Sequence, residues 1–331
     1  MQGVVVNEYC DFDRAQVGLI KDPKAGSGEV VVALETAEVN FPDKLYIEGQ
    51  YQKQLDFPFS PGLAGTGVIC AVGAGVDESL IGKRVLALPE YGTYAEKVSL
   101  PAEHCFAVPD GVDSIQSSAL GLAYQTAYFA LTARGNIRPG DNVLVLGATG
   151  GVGMAAVQLA KAMGAGKVLA GTRGGINKLG EYWLGADEIV DTAPEDLRSL
   201  AASVKNATDG YGVDIVIDTV GGVLGEAALR ALAWNGRFVV VGFACGDIPK
   251  FAGNYLLVKN ISVSGLQWTD YLARQLETVQ QAQDKLFEWC RTGLLAPRIH
   301  NTYPLAEFAT ALNAVCSGEA QGRVVLTISE T

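Results

Sequence analysis

The sequence predicts an α/β protein of two parts, a barrel or sandwich of short strands and a doubly wound parallel sheet. First, the length of 331 residues suits about two domains. Second, the first hundred residues contain short β-like runs separated by Gly, Pro and Asp. Third, from Asp141 onward continuous apolar runs alternate with helical segments, as in strands that are buried on both faces.

The strands of the first part are short apolar runs between turn residues. They are Val4–Val6, Glu29–Leu34, Gly67–Val72, Arg84–Leu88 and Tyr94–Val98. A helix follows over Ala119–Ala133, in a segment without charged residues. Because this segment carries Gln, Ser and Thr side chains, we interpret it as a buried helix at a domain junction rather than a membrane span.

Six further strands predict the doubly wound sheet. They are Asn142–Leu146, Lys167–Gly171, Glu188–Val190, Val213–Val220, Arg237–Gly242 and Ile261–Leu266. The first helix between these strands ends near Gly164. The other three span Lys178–Leu184, Pro194–Ala207 and Val223–Ala233. The tail adds a helix over Asp270–Arg291, a strand over Arg298–Tyr303, a helix over Leu305–Cys316 and a strand over Gly322–Ile328.

Charge and cysteine content narrow the function classes. Lys and Arg number 25 and Asp and Glu 36, a net charge of −11. Such acidity argues against nucleic acid and against an anionic membrane surface as partners. The six cysteines form no CxxC pair, and the first residues carry no signal-peptide pattern. We therefore expect free thiols and a cytoplasmic protein.

A glycine-rich turn follows the first strand of the second part. The motif Ala148-x-Gly150-x-x-Gly153 joins that strand to a helix, as in a dinucleotide-binding turn. Gly150 lets the backbone approach a pyrophosphate, Gly153 allows close packing of helix on strand, and the helix N-terminus supplies N–H donors. The predicted cofactor contacts here are Ala148, Thr149, Gly150, Gly151, Val152 and Gly153.

The end of the next strand predicts the choice of cofactor. A site for NAD would place Asp or Glu there, whereas this strand ends in Thr172 and Arg173, with Lys178 following. Thr172 leaves room for a 2′-phosphate, and the two cations can neutralise it. This favours NADP(H), although both cations could instead be solvated at a helix start.

The chain resembles the zinc-independent quinone oxidoreductase branch of the medium-chain dehydrogenases/reductases. The resemblance lies in the segments 140–161, Val39-Asn40-Phe41-Pro42-Asp43 and Gly322-Arg323-Val324-Val325-Leu326. It implies a GroES-like catalytic barrel from residues 1–123 and 268–331. It also implies a Rossmann NADP-binding domain at 124–267.

The positions of the family's zinc ligands carry other residues here. By resemblance, Asn40 stands where the zinc branch has Cys, and Leu63 and Ala64 replace its His and Glu. Leucine and alanine cannot ligate zinc, and the lobe with four cysteines is missing. The two histidines, His104 and His300, lie in no ligand pattern. We expect no metal.

The resemblance also implies the catalytic residues Asn40, Asp43 and Tyr51, in a cleft that faces the nicotinamide. Asn40 would donate to a carbonyl or to the cofactor, and Tyr51 would donate to the reduced oxygen. Asp43 would orient its neighbours or cap a helix. The family often has a second Tyr where Leu45 stands. Tyr46 is expected to face away because of the alternation along an extended strand.

Further cofactor contacts are implied by resemblance at the loop Gly242, Phe243 and Ala244, at Thr126, and at Arg323. Phe243 could equally belong to the core. Arg323 could reach the cofactor or a substrate carboxylate, or be solvated.

These observations predict an NADPH-dependent, zinc-independent reductase of quinones or α,β-unsaturated carbonyls. Two alternatives stay open: a reductase of enoyl-CoA or other enoyl thioesters, and a non-catalytic, crystallin-like NADPH-binding protein. The strand Ile261–Leu266 would leave an open sheet edge, which in the family pairs across a two-fold axis, so a homodimer is expected.

Overall fold

The computed structural model describes residues 1–174, 185–193 and 199–329. The chain forms two compact units, Met1–Ala123 with Glu277–Thr331, and Tyr124–Leu276. The second unit thus continues beyond the expected boundary at residue 267. The predicted helix Lys178–Leu184 and the first part of Pro194–Ala207 lie outside the described residues.

The strands of the described residues fall in both units. In chain order they are β1 (Gln2–Val5), β2 (Gln16–Leu19), β3 (Glu29–Val39), β4 (Gly65–Val72), β5 (Arg84–Ala87), β6 (Lys97–Pro101), β7 (Cys105–Ala107), β8 (Val143–Leu146), β9 (Val168–Thr172), β10 (Glu188–Asp191), β11 (Val213–Asp218), β12 (Leu232–Val240), β13 (Ser262–Gly265), β14 (Ile299–Pro304) and β15 (Arg323–Thr327).

The α-helices of the described residues are mostly short. They are α1 (Phe41–Ile47), α2 (Ser114–Ala119), α3 (Leu122–Phe129), α4 (Gly151–Ala162), α5 (Leu200–Ala207), α6 (Gly222–Ala228), α7 (Gly253–Lys259), α8 (Thr269–Arg274), α9 (Leu276–Arg291) and α10 (Phe308–Cys316). Short 3₁₀ segments and one π-helical turn, Ala130–Arg134, connect several of them. None of the described helices is long and apolar enough to cross a membrane.

The first unit is built around β3, which pairs with β4, β6 and β15. Its main sheet has the order β14-β15-β3-β4-β5-β7, so the last strands of the chain lie beside an early one. In the antiparallel register of β3 and β15, Val39 lies opposite Val324 and Glu38 opposite Val325. This pairing brings Arg323 to the end of β3.

The second unit contains a parallel sheet with the order β10-β9-β8-β11-β12-β13. The side chains of β8 are fully buried, as its continuous apolar sequence predicts. The strand order reverses between β8 and β11, where ligands bind in doubly wound sheets. The predicted α/β fold class is confirmed.

Several predicted element boundaries are wrong. The strand predicted at Tyr94–Val98 begins at Lys97, because pairing with β3 fixes its register over Lys97–Pro101. The helix predicted at Val223–Ala233 gives way to β12, which pairs Leu232 with Val213. The predicted helix Asp270–Arg291 is interrupted at Gln275, which separates α8 from α9.

Candidate functional site

The glycine turn between β8 and α4 leads into a helix start of the kind that suits an anion. Gly147 has a φ of +75°, and Gly150 is the N-cap of α4. In the described part of the chain, no backbone carbonyl accepts from the N–H groups of Gly151, Val152 and Gly153. Free N–H groups of a first helical turn, together with the helix dipole, suit a phosphate.

The space around the two key glycines agrees with their predicted roles. A Cβ on Gly153 would lie 2.1 Å from the carbonyl oxygen of Gly147, so only glycine permits this packing of helix on turn. A Cβ on Gly150 would meet only that same oxygen, at 3.4 Å, and would otherwise fill open space. The turn is therefore a cradle that a side chain would fill, and it fits a dinucleotide pyrophosphate.

The end of β9 contains the predicted phosphate-recognition residues. Thr172 is buried, and Arg173 is exposed beside it. Lys178 lies outside the described residues. Sequence reasoning missed Asp191, which lies opposite Thr172 on β10 and accepts from the N–H groups of Gly174 and Ala193, each at 3.0 Å. Parallel pairing, rather than sequence distance, brings this carboxylate near the end of β9.

The loop after β12 is anchored to the end of β11. Gly242 and Ala244 donate to the carbonyls of Asp218 and Thr219, at 3.3 and 3.1 Å. Phe243 is 40% exposed, so its interpretation as a core residue is wrong. The carboxylate of Asp218 accepts from the N–H groups of Val220 and Gly221, and burial raises its pKa.

Thr126, the remaining predicted cofactor contact of the second unit, lies half-buried on α3. Its contact with a cofactor stays a prediction.

In the first unit, a polar cluster lies where β3 meets α1. Glu38 is fully buried, and Asn40 and Arg323 are each 5% exposed. Arg323 forms an ion pair with Glu38 and donates from Nη2 to Asn40 Oδ1 at 2.8 Å. Asn40 Nδ2 in turn donates to Glu38 Oε2 at 3.2 Å. Burial raises the pKa of Glu38, and the adjacent guanidinium opposes that rise.

Asp43 forms a second buried contact set at the same corner. Its Oδ2 accepts from the backbone N–H of Asn40 and from the hydroxyl of Tyr94, each at 2.7 Å. The first bond is the reciprocal half of a capping box at the start of α1. Burial raises the pKa of Asp43 to about 7, although the bonds from Tyr94 and Asn40 lower it.

The tyrosines of this region differ from the extended-strand prediction. Tyr46 lies on α1, so the argument that strand alternation turns it away is wrong. Its ring stacks on that of Tyr51, with centroids 4.3 Å apart. Burial raises the pKa of Tyr46 above its usual range, which keeps its phenol protonated. Tyr51 is half-buried.

The structure brings Asn40, Asp43 and Arg323 together, and it adds Glu38 and Tyr94, which sequence reasoning missed. The interpretation of Arg323 as a solvated residue is wrong, because its side chain is buried in an ion pair. Its contact with a cofactor stays a prediction. Nothing in the sequence singles out Glu38, because β3 also contains Glu29 and Glu35.

The zinc-ligand places carry buried apolar side chains. Leu63 is 5% exposed and Ala64 fully buried. Across the described residues, no group of three or more His, Cys, Asp or Glu side chains could hold a metal ion.

A doubly wound sheet whose glycine turn suits a phosphate, in a chain whose first unit contains a buried polar corner, is the architecture of a dinucleotide-dependent oxidoreductase. Residues 151–286 match the family model of the zinc-binding dehydrogenases, and residues 26–110 match that of the alcohol dehydrogenase GroES-like domain. The chain is 33% identical over 307 residues to the quinone oxidoreductase-like protein 2 homolog of Nematostella vectensis, covering 92% of this chain and 83% of that protein. The chain belongs to the medium-chain dehydrogenase/reductase family, which confirms the resemblance drawn from its motifs.

Two further likenesses bear on function. A mycobacterial protein solved in complex with NADPH is 29% identical, with a TM-score of 0.90 over 99% of this chain and 100% of that one. A mycocerosic acid synthase-like polyketide synthase of Mycobacterium tuberculosis is 32% identical over 324 residues, which are 97% of this chain and 15% of that protein.

Proposed function

We propose that this oxidoreductase uses NADPH to reduce a quinone or an α,β-unsaturated carbonyl compound without a metal ion. The observation that carries the proposal is an intact dinucleotide turn in a chain whose zinc-ligand places hold Leu63 and Ala64. Without a Lewis acid, an alcohol is not activated for oxidation. An acceptor that delocalises its developing charge onto oxygen needs only positioning and hydrogen-bond donors.

The cofactor is assigned to the turn and to the end of β9. The N–H groups of Gly151, Val152 and Gly153 would hold the pyrophosphate, and Arg173 would hold the 2′-phosphate. Bound NADPH supplies the hydride, and the protein supplies orientation and donors. The NADPH complex of the mycobacterial relative supports this assignment.

Residues of the first unit are assigned to the acceptor. Asn40 donates a hydrogen bond to its carbonyl oxygen and so stabilises the developing oxyanion. Tyr51 donates to the same reduced group. Asp43 orients Asn40 through the backbone bond at the start of α1.

A second candidate is the reduction of an enoyl thioester. The likeness to a segment of a polyketide synthase favours it, because that likeness extends over nearly all of this chain. The hydride chemistry is the same, since a thioester carbonyl also delocalises the charge. Turnover on crotonyl-CoA and on a quinone, compared under the same conditions, separates the two candidates.

The test is the oxidation of NADPH and NADH by chelator-treated protein, with an ortho-quinone and a simple enone as acceptors. We expect rapid loss of NADPH, slower loss of NADH, and no effect of the chelator. Asn40→Ala is expected to lower kcat by about 10²–10³, the cost of one oxyanion donor. NADPH binding without turnover on any acceptor would favour the non-catalytic alternative.

We also propose a homodimer formed in the reducing cytoplasm. Strand β13 ends the described sheet, and Leu257 and Val258 on the preceding helix are 79% and 77% exposed. Pairing of β13 with its copy would cover an open edge. Light scattering at micromolar concentration tests this, and a monomer would count against it.

A further inference from the structure

Three buried polar side chains meet at the end of β3 and form hydrogen bonds with one another. Arg323 reaches Glu38 and Asn40 because β15 runs antiparallel to β3, with Val324 opposite Val39. A buried charge without a partner costs several kcal/mol, so Glu38 and Arg323 are stable here only as a pair. Asn40 is the neutral member, bonded to both charges.

The chemistry of the two charged groups fixes which way the Asn40 amide points. A guanidinium only donates and a carboxylate only accepts. Arg323 Nη2 must therefore face Asn40 Oδ1, at 2.8 Å, and Glu38 Oε2 must face Asn40 Nδ2, at 3.2 Å. A flipped amide would set donor against donor and acceptor against acceptor, so the two charges lock the orientation.

The lock leaves one hydrogen-bond donor unused. The amide nitrogen of Asn40 carries two hydrogens, and one of them goes to Glu38. Among the residues that the structure describes, none accepts the other. Glu38 Oε2 also accepts from the backbone N–H of Leu122 at 3.0 Å, which holds the carboxylate itself in place.

We propose that Glu38 and Arg323 are positioning residues that lock the Asn40 amide, so that its second N–H is directed at the acceptor's carbonyl oxygen. The inference rests on the proposed function, in which Asn40 donates to that oxygen. A donor that is oriented in advance stabilises developing charge without reorganising during the reaction. Arg323 then acts through Asn40, and not by binding the cofactor.

The competing role is structural, since the same ion pair ties β15 to β3. Replacing both members of a buried ion pair by apolar residues of similar volume commonly leaves a protein folded and no less stable. The double variant Glu38→Met/Arg323→Met therefore removes the lock without leaving a buried charge. The matched control is Glu35→Met/Arg84→Met, because that ion pair, at 3.4 Å, also joins β3 to another strand.

The kinetic test compares these variants with Asn40→Ala and with the triple variant that combines Asn40→Ala with the double replacement. We expect the Glu38/Arg323 double variant to lower kcat about 10- to 100-fold, below the loss expected for a whole oxyanion donor. The dissociation constant of NADPH and the control variant's kcat should stay within about twofold of wild type. In the Asn40→Ala background the double replacement should cost no further kcat, since residues that act as one unit are non-additive.

Other outcomes overturn the proposal. A weaker NADPH affinity with unchanged kcat would make Arg323 a cofactor contact. A loss of kcat that adds fully to that of Asn40→Ala would make the pair purely structural. If the double variant fails to fold, Glu38→Gln/Arg323→Gln takes its place, because it also leaves no buried charge and because each new amide can both donate and accept, so neither orientation of the Asn40 amide is excluded.

A measurement independent of turnover separates this inference from the proposed function. In protein labelled with ¹⁵N-asparagine, the Nδ2 signals missing from Asn40→Ala identify Asn40. We expect the Nδ2 hydrogen that is bonded to Glu38 to exchange slowly with water in the wild type and rapidly in the double variant. Fast exchange of that hydrogen in the wild type overturns the lock. Slow exchange in an enzyme that reduces no acceptor would leave the lock standing and refute the proposed function.

Discussion

Replacing Gly153 by alanine should destabilise the second unit and remove its dinucleotide site together. The new Cβ would lie 2.1 Å from the Gly147 carbonyl oxygen, 2.7 Å from its carbonyl carbon and 2.9 Å from Ala148 Cα. All three atoms are backbone, so no flexible side chain can move aside. Either α4 or the turn must shift by more than an ångström.

The expected cost is that of overpacking a rigid core, about 1–3 kcal/mol or more. For a domain of this size, each kcal/mol lowers Tm by roughly 2–4 °C. The same shift moves the N–H groups of the first turn of α4, so NADPH affinity should fall with stability. Thermal unfolding without ligand and titration of NADPH fluorescence measure the two effects separately.

Gly150→Ala is the matched control, because its Cβ would meet only the Gly147 carbonyl oxygen, at an ordinary 3.4 Å. The φ of Gly150 is −77°, which any residue adopts. This variant should keep the wild-type Tm and nevertheless bind NADPH more weakly than the wild type, because its methyl group fills the pyrophosphate cradle. The reasoning is refuted if Gly153→Ala is as stable as the wild type, or if Gly150→Ala unfolds at a clearly lower temperature.

Three further predictions concern charges at the two sites. Asp43 has a raised pKa of about 7, so its ionisation opposes folding, and stability should fall as pH rises from about 4 to 7. In urea unfolding, the free energy of unfolding of Asp43→Asn should therefore exceed that of the wild type by an amount that grows across this range to at most about 4 kcal/mol and is constant at higher pH. A difference in unfolding free energy that does not depend on pH would contradict the raised pKa. Tyr94→Phe removes the hydroxyl that donates to Asp43 Oδ2 and should lower stability by about 1–3 kcal/mol, more at pH 9 than at pH 5. Equal losses at both pH values would show that the protonation state of Asp43 does not change between them. Arg173→Gln should weaken NADPH binding several-fold and leave NADH binding unchanged. The control Arg230→Gln, at another exposed arginine of the second unit, should change the affinity for neither cofactor. Equal losses of affinity for both cofactors in calorimetric titrations would show that Arg173 does not bind the 2′-phosphate.

The second unit was predictable because its signals are local. A continuous apolar strand, a glycine turn and a helix start adjoin one another in sequence, and the contacts of Gly153 arise within this short segment. The first unit depends on pairing between distant residues. Asn40 and Asp43 were visible as a motif, but nothing near them in sequence indicates the hydroxyl of Tyr94 or the guanidinium of Arg323.

Two errors show the same limit. Tyr46 was expected on an extended strand, whereas the structure starts a helix at Phe41, with Asn40 as its N-cap and Pro42 in its first turn. Asp191 was overlooked as a neighbour of Thr172 because only the parallel pairing of β9 with β10 sets the two side by side. Periodicity predicts which elements exist, whereas the partners of a polar side chain follow from sheet register.

The buried ion pair between Arg323 and Glu38 affects the chemistry that this corner of the first unit can support. Apolar residues of similar volume would hold β15 against β3 at no greater cost, so stability alone does not account for Glu38 and Arg323. Both charges instead bond to Asn40, the residue that stands, by resemblance, where the zinc branch has its first ligand. A metal ion polarises a carbonyl from a fixed position. An amide can polarise a carbonyl in a similar way only if its N–H donor is equally fixed. Arg323, which only donates, and Glu38, which only accepts, fix the Asn40 amide from its two sides. The pair therefore provides, for a neutral side chain, the orientation that coordination geometry provides for zinc.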